Sequence, residues 1–189
     1  MLDTKRGLPP TYAPPDLTAT DEAGFEDKDP DGHSFLVRGF LIPDLHDLRK
    51  AAAANGTPIG IQAAFRSYAH QASLFNDRVK EFGLHTALER TARPGHSEHQ
   101  LGTTIDFKTA GAPDVTTAWA STPTGRWMRQ NAWRFGFVLS YPKGRTGVTC
   151  YAYEPWHLRY FGRAAAAEIQ MSHLTVRQYL WNEESEPES

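Results

Sequence analysis

Between residues 34 and 182 the apolar positions recur in two rhythms, one helical and one stranded. Pro43 suits the first position of a helix, and Asp44 and Asp47 fall in its first turn, where carboxylates favour the helix dipole. Leu45, Leu48 and Ala52 follow at helical spacing, and Asn55-Gly56 stops the run. Thr57 to Phe65 is expected as a strand. Tyr68, Ala72, Phe75, Val79 and Phe82 recur at steps of four, three, four and three, which is one apolar face of a second helix. Ser67 is placed to cap that helix and Gly83 to end it, and its stripe is expected to pack into the core. Thr103 to Lys108 has the look of a short strand, and residues 124–134 of a helix rich in Trp and Arg. Phe137–Tyr141, Val148–Tyr153 and His157–Phe161 follow as strands and Ala164–Gln170 as a helix, while Thr175 with Gln178 offers a capping box for a last short helix. Helices come first and strands last, with few βαβ units. The class expected is α+β, a small domain with a central antiparallel sheet flanked by helices.

The two ends differ from this middle. Residues 1–33 carry Pro9, Pro10, Pro14, Pro15 and Pro30 among acidic residues, the pattern of an extended N-terminal arm. Residues 183–189 are an acidic stretch with nothing to bury, expected as a disordered tail. The segment between, 34–182, is long enough for one domain with its own core. Charge sharpens the picture: the net value is −2 and no basic stripe exists, so nucleic acid is not an expected partner. No run of 18 apolar residues is present, so no segment of this chain is expected to span a membrane. The opening MLDTKRGLPP lacks the apolar centre of a signal peptide. Cys150 is the single cysteine, so no internal disulfide can form, and it is expected as a buried small hydrophobe.

Chemistry concentrates in two segments, Ser97-Glu98-His99-Gln100-Leu101-Gly102-Thr103-Thr104-Ile105-Asp106 and Glu154-Pro155-Trp156-His157. A hydrolytic zinc site needs three protein ligands and one open position, and His, His and Asp meet that need. It also needs a carboxylate that takes a proton without binding the metal. Glu154 stands three residues before His157, and a bend at Pro155 would bring both side chains to one place. Gly102 can likewise turn the chain between His99 and Asp106. Competing readings are a Ser97–His99–Asp106 triad, for which no Gly-x-Ser-x-Gly elbow exists, and His96 as a ligand or a support for one. Neither an HExxH nor a CxxC signature is present.

The segments Ser97–Asp106 and Glu154–His157 resemble the Ser-x-His-x-x-Gly-x-x-x-Asp and Glu-x-Trp-His motifs of the VanY-type D-alanyl-D-alanine carboxypeptidases. Phe65-Arg66-Ser67-Tyr68 with Gln71, and Arg93-Pro94-Gly95-His96, match the same family in the same order, from about Gly39 to Gly162. Thr104 stands where that family often has Ala. The resemblance implies that His99, Asp106 and His157 hold zinc and that Glu154 is the general base. It implies that Arg66 steadies the oxyanion or anchors the substrate's terminal carboxylate, and that Ser97 and Gln71 hydrogen-bond the peptide. Trp156 is expected to pack beneath the metal. The expected reaction is removal of a C-terminal D-amino acid from peptidoglycan stem peptides, and the expected place of action lies outside the cytoplasmic membrane. An L,D-carboxypeptidase, a peptidoglycan endopeptidase and a non-catalytic zinc-containing wall-binding module share these motifs as alternatives.

Overall fold

The sheet that carries both motifs is built from four short strands whose order in space is not their order in the chain. The computed structural model describes residues 3–185. In chain order the elements are strand β1 (Leu17–Ala19), strand β2 (Leu36–Arg38), helix α1 (Ile42–Ala54), strand β3 (Ile59–Ala63), helix α2 (Tyr68–Arg90), strand β4 (Thr104–Thr109), helix α3 (Pro123–Asn131), strand β5 (Phe137–Leu139), a single helical turn α4 (Thr146–Thr149), strand β6 (His157–Tyr160), helix α5 (Arg163–Ser172) and helix α6 (Val176–Ser185). β1 and β2 form a small antiparallel pair, and the main sheet runs β3-β4-β6-β5 with every neighbour antiparallel. This is the expected α+β class with a central antiparallel sheet.

Strand periodicity divides the main sheet into two faces. Ile61, Ile105, Phe107, Phe137 and Leu158 turn to one side, where they pack with Leu45, Leu48 and Ala52 of α1 and Met128 of α3. A smaller cluster of Val138, Ala166, Ile169 and Val176 joins β5 to α5 and α6. Residues ahead of the main sheet contribute as well: Ala23, Phe25 and Val37 belong to the larger cluster. The capping box at α6 forms, with the Gln178 backbone N–H donating to Thr175 Oγ1 at 3.2 Å and the Thr175 N–H donating to Gln178 Oε1 at 3.1 Å. That helix runs to Ser185, so the acidic stretch expected as a tail falls partly in α6, and residues 186–189 lie outside the described residues.

Four expectations need correction. The strand expected over Val148–Tyr153 is instead the turn α4 followed by irregular chain, with Cys150 at φ 66°. Its β-branched and aromatic residues have no partner strand, and the backbone N–H groups of Val148 and Thr149 donate back to the Arg145 carbonyl instead. Cys150 is exposed rather than buried, with Arg177 Nη1 2.9 Å from its sulfur. Helix α2 does not end at Gly83: the chain kinks there at φ 79° and resumes helix to Arg90. Nor does the whole of its stripe enter the core. Phe75 is buried, whereas Phe82 is 45% exposed, because this helix forms one wall of a cleft.

Candidate active site

The ladder between β4 and β6 sets the centre of the site. Asp106 and His157 are directly paired in register, so their side chains leave the same face side by side. His99 arrives from a short 3₁₀ turn, Glu98–Leu101, closed by Gly102 at φ 71°. A Cβ at Gly102 would meet Arg38, Pro14 and Leu17 at 3.1–3.2 Å, so both the left-handed turn and the close packing favour glycine. The 3₁₀ turn is clasped to the end of β3, since the Arg66 N–H donates to the His99 carbonyl and the His99 ring reaches the Ala64 carbonyl.

Glu154-Pro155-Trp156-His157 is a tight turn with the His157 N–H donating to the Glu154 carbonyl at 3.1 Å. Proline at its second position pre-sets the bend. The anticipated meeting of the two side chains follows, with Glu154 Oε2 3.5 Å from His157 Nδ1.

His99, Asp106 and His157 present one ligand atom each within 4.8 Å of one another. The tautomers fit a metal. His99 Nδ1 lies 2.7 Å from the Ala64 carbonyl oxygen, which can only accept, so that nitrogen carries the proton and Nε2 is free. His157 Nε2 lies 3.0 Å from Glu98 Oε2, so its Nδ1 is the nitrogen turned inward, 3.0 Å from Asp106 Oδ1. Asp106 Oδ1 is buried without a hydrogen bond that satisfies it, as a ligand oxygen awaiting a cation would be. Two imidazole nitrogens and a carboxylate oxygen suit zinc.

Burial and charge act against each other at every group of the centre. Burial would raise the Asp106 carboxyl, but His99 and His157 outweigh it and hold Asp106 well below the usual carboxylate range. Burial pulls His99 down, favouring the neutral imidazole that a metal needs. For His157 burial acts downward too, yet Asp106 and Glu98 against its ring carry it up to about 10. Glu154 moves oppositely to the other carboxylate, Asp106. Burial and the nearby Asp106 charge push it up to about 7, against the lowering effect of His157 and Arg66.

A cleft of about 540 Å³ opens over this centre, lined among others by Arg66, Ser97, Glu154 and Trp156 on the sheet side and by Phe82 and Arg90 on the α2 side. Arg66 donates from Nη1 to Gln71 Oε1 at 2.9 Å, while Gln71 Nε2 donates to the Ala92 carbonyl at 2.6 Å. Both ends of the Gln71 amide are thereby engaged, and its visible task is to hold Arg66. Ser97 is buried at the cleft wall, and Trp156 packs against the main core while lining the cleft. His96 stands apart from the metal donors: its Nδ1 lies 2.6 Å from the Asp3 carbonyl oxygen.

Three neighbours to which the motifs assign no role complete the surroundings of His157. Glu98 faces His157, Arg159 faces Glu98, and the Tyr141 ring lies 4.7 Å from the His157 ring at 34°. Arg159 was within reach of a sequence argument, because it stands two residues past His157 on one strand and so shares its face. Tyr141 carried no such signal.

An α+β domain that gathers two imidazoles and one carboxylate around one point, with a second carboxylate beside them, has the donor set of a metal site with an acid–base group at its edge. The chain belongs to the D-alanyl-D-alanine carboxypeptidase family VanY, whose model matches residues 36–163. It is 35% identical over 181 residues to YodJ of Bacillus subtilis (strain 168), covering 95% of this chain and 65% of that protein, so it spans less than two thirds of this relative's length. Among solved structures it is similar to the LdcB LD-carboxypeptidase, with a TM-score of 0.85 at 35% identity over 95% of this chain and 84% of that one. It is also similar to the D,D-pentapeptidase VanY of a VanB-type resistance cassette, solved as a mutant in complex with Zn(II), with a TM-score of 0.76 at 28% identity over 95% and 97% of the two chains.

Proposed function

We propose that this chain is a zinc-dependent carboxypeptidase that removes the C-terminal D-alanine from peptidoglycan stem peptides, acting outside the cytoplasmic membrane. The observation that carries this reading is Glu154. It is a half-buried carboxylate 3.5 Å from a candidate ligand, outside the donor set, with its pKa raised to about 7. A purely structural metal site has no use for such a group, whereas a general base near neutrality is what peptide hydrolysis requires.

His99 through Nε2, His157 through Nδ1 and Asp106 would hold the zinc. Bound there, zinc would supply a water of lowered pKa and polarise the scissile carbonyl. The chain's own groups do the rest. Glu154 takes the proton of the attacking water on its carboxylate and returns it to the departing amine, which needs a pKa between those two partners. Arg66 is presented to the cleft by Gln71, and its planar, permanently charged fork suits the terminal carboxylate of the substrate. Ser97 offers a hydroxyl on the same wall. Selection for the last residue of a chain follows from such an anchor, because a peptide lacking a free carboxylate forfeits the charge pair.

D-alanine release from a muramyl pentapeptide, with chelator and with zinc restored, tests this. The expected result is release that stops with chelator and returns with zinc. A zinc-loaded protein that frees no D-alanine from pentapeptide overturns it.

One observation favours a second reading. Similarity to the LdcB LD-carboxypeptidase is the greater of the two structural likenesses, 35% identity against 28%. Under that reading the tetrapeptide is the substrate, and release from tetrapeptide but not from pentapeptide selects it.

A further inference from the structure

His157 is held by more than the sheet. Its Nε2 lies 3.0 Å from Glu98 Oε2, and the other oxygen of Glu98 lies 3.0 Å from Arg159 Nη1. Glu98 and His157 are only 5% and 4% exposed. A carboxylate so deep needs a cation, and Arg159 provides it. The two oxygens of Glu98 are thus divided between the imidazole on one side and the guanidinium on the other. The guanidinium of Arg159 sits 4.8 Å from the Phe161 ring centre. The Tyr141 ring lies against the His157 imidazole, 4.7 Å away and tilted by 34°.

The connectivity gives this arrangement its meaning. Glu98 immediately precedes the ligand His99, yet it grips the other histidine, 59 residues away. Arg159 lies two residues beyond His157 and projects from the same face of β6. The first motif therefore supplies two donors, His99 and Asp106, and the carboxylate of a brace, while β6 supplies the third donor, His157, and the cation of that brace.

We propose that Glu98, neutralised by Arg159, is a positioning residue: it fixes the His157 ring with Nδ1 inward and so sets the affinity and geometry of the metal centre. The inference rests on the metal-peptidase reading, in that it needs a metal bound by His157, but not on any particular substrate. Without an acceptor at Nε2 the ring is free to turn over and present its other nitrogen, and without the negative charge behind it the imidazole is a weaker donor. Removal of such outer partners of a ligating histidine typically costs about 10–100-fold in metal affinity.

The test measures zinc affinity by competition with a chromogenic chelator and the visible spectrum of the cobalt-substituted protein, in Glu98→Gln and in the double variant Glu98→Gln/Arg159→Met. The double variant guards against misfolding, because it leaves no buried arginine unpaired. The expected result in either folded variant is zinc binding weakened about 10–100-fold and a shifted cobalt spectrum. In the same proteins kcat is expected to fall more than KM for the peptide rises. A double variant with wild-type circular dichroism that binds zinc as tightly as wild type, with an unchanged cobalt spectrum, overturns the brace. Wild-type protein that binds no zinc overturns it together with the metal-peptidase reading. Wild-type protein that binds zinc but hydrolyses no wall peptide sinks only the proposed activity.

Discussion

On β4, Ile105 and Phe107 turn toward helix α1 while Asp106 between them turns toward the cleft; on β6, Leu158 faces the helix and His157 the cleft. Both faces are almost equally removed from water. Ile105 and Phe107 are 0% exposed, and His99, Asp106 and His157 are 3%, 9% and 4%. Burial has opposite consequences on the two sides. Each large apolar side chain on the α1 face gains about 1.5–3 kcal/mol by leaving water. On the cleft face burial opposes every ionised group, and the charges persist only because they are matched: Asp106 with His157, and Glu98 with Arg159. On β4 and β6 the face that adds to the core and the face that carries the reactive groups are therefore two sides of the same strands.

The largest effect that should separate the faces is at Glu154. Glu154→Gln keeps the shape of the cleft and removes the base, so turnover is expected to fall about 10²–10⁴-fold with zinc content and melting temperature near wild type. Zinc analysis beside a D-alanine assay reads both. Loss of zinc in this variant would make Glu154 a ligand and return it to the donor set.

Next comes the pair of neighbours Asp106 and Phe107, which differ by one step along β4. Phe107→Ala leaves a hole against Phe137 and the α1 side chains and should cost about 3–5 kcal/mol of unfolding free energy, while protein that remains folded still binds zinc. Asp106→Ala is expected to do the reverse, abolishing tight zinc binding. Denaturant unfolding and chelator competition on the two variants would expose any mixing of the phenotypes.

This division explains which parts of the molecule were legible in the sequence. The metal donors and Glu154 stood out because their chemistry is rare and their spacing fixed, and antiparallel pairing then brought Asp106 beside His157 without further instruction. The α+β class followed from helical and stranded runs that packing left in place. Two stretches misled. Val148–Tyr153 has the composition of a strand, but strand propensity acts only where a neighbour offers a ladder, and here the turn after Pro142 and Gly144 offers none. The stripe along α2 has core spacing, but spacing records only that a face is apolar, and from Phe82 onward this face borders the cleft. Glu98 was visible as a residue and silent as a role, since its partner His157 lies 59 positions away.

The pH profile probes the cleft face alone. Burial is the main reason that Glu154 lies near 7 instead of near an ordinary glutamate, and a base must be ionised to act. Below its pKa the ionised fraction falls about tenfold per pH unit, so kcat/KM should decline with that slope on the acid side. A cation bound alongside draws the value downward, which puts the limb at or below pH 7. Rate measurements from pH 5 to 8 at saturating zinc check this, and a profile flat across that range would deny Glu154 its role.

The smallest effect is the sharpest test of whether the two faces are independent. Ile105 is fully buried on the α1 side and is flanked by Thr104 and Asp106. Ile105→Val removes one methylene, which should lower unfolding free energy by about 0.5–1.5 kcal/mol. Ridges of a pleated strand alternate, so a slight relaxation beneath Ile105 moves its own side chain more than the backbone that carries Asp106. Asp106 is also anchored from above, by His99 at 3.2 Å and His157 at 3.0 Å, contacts that owe nothing to the α1 packing. Zinc affinity and the acid limb should therefore stay at wild-type values while denaturant midpoints shift. If chelator competition instead finds affinity falling in step with stability, the strand transmits strain between its faces, and the metal centre is tuned by the core behind it as well as by the charges around it.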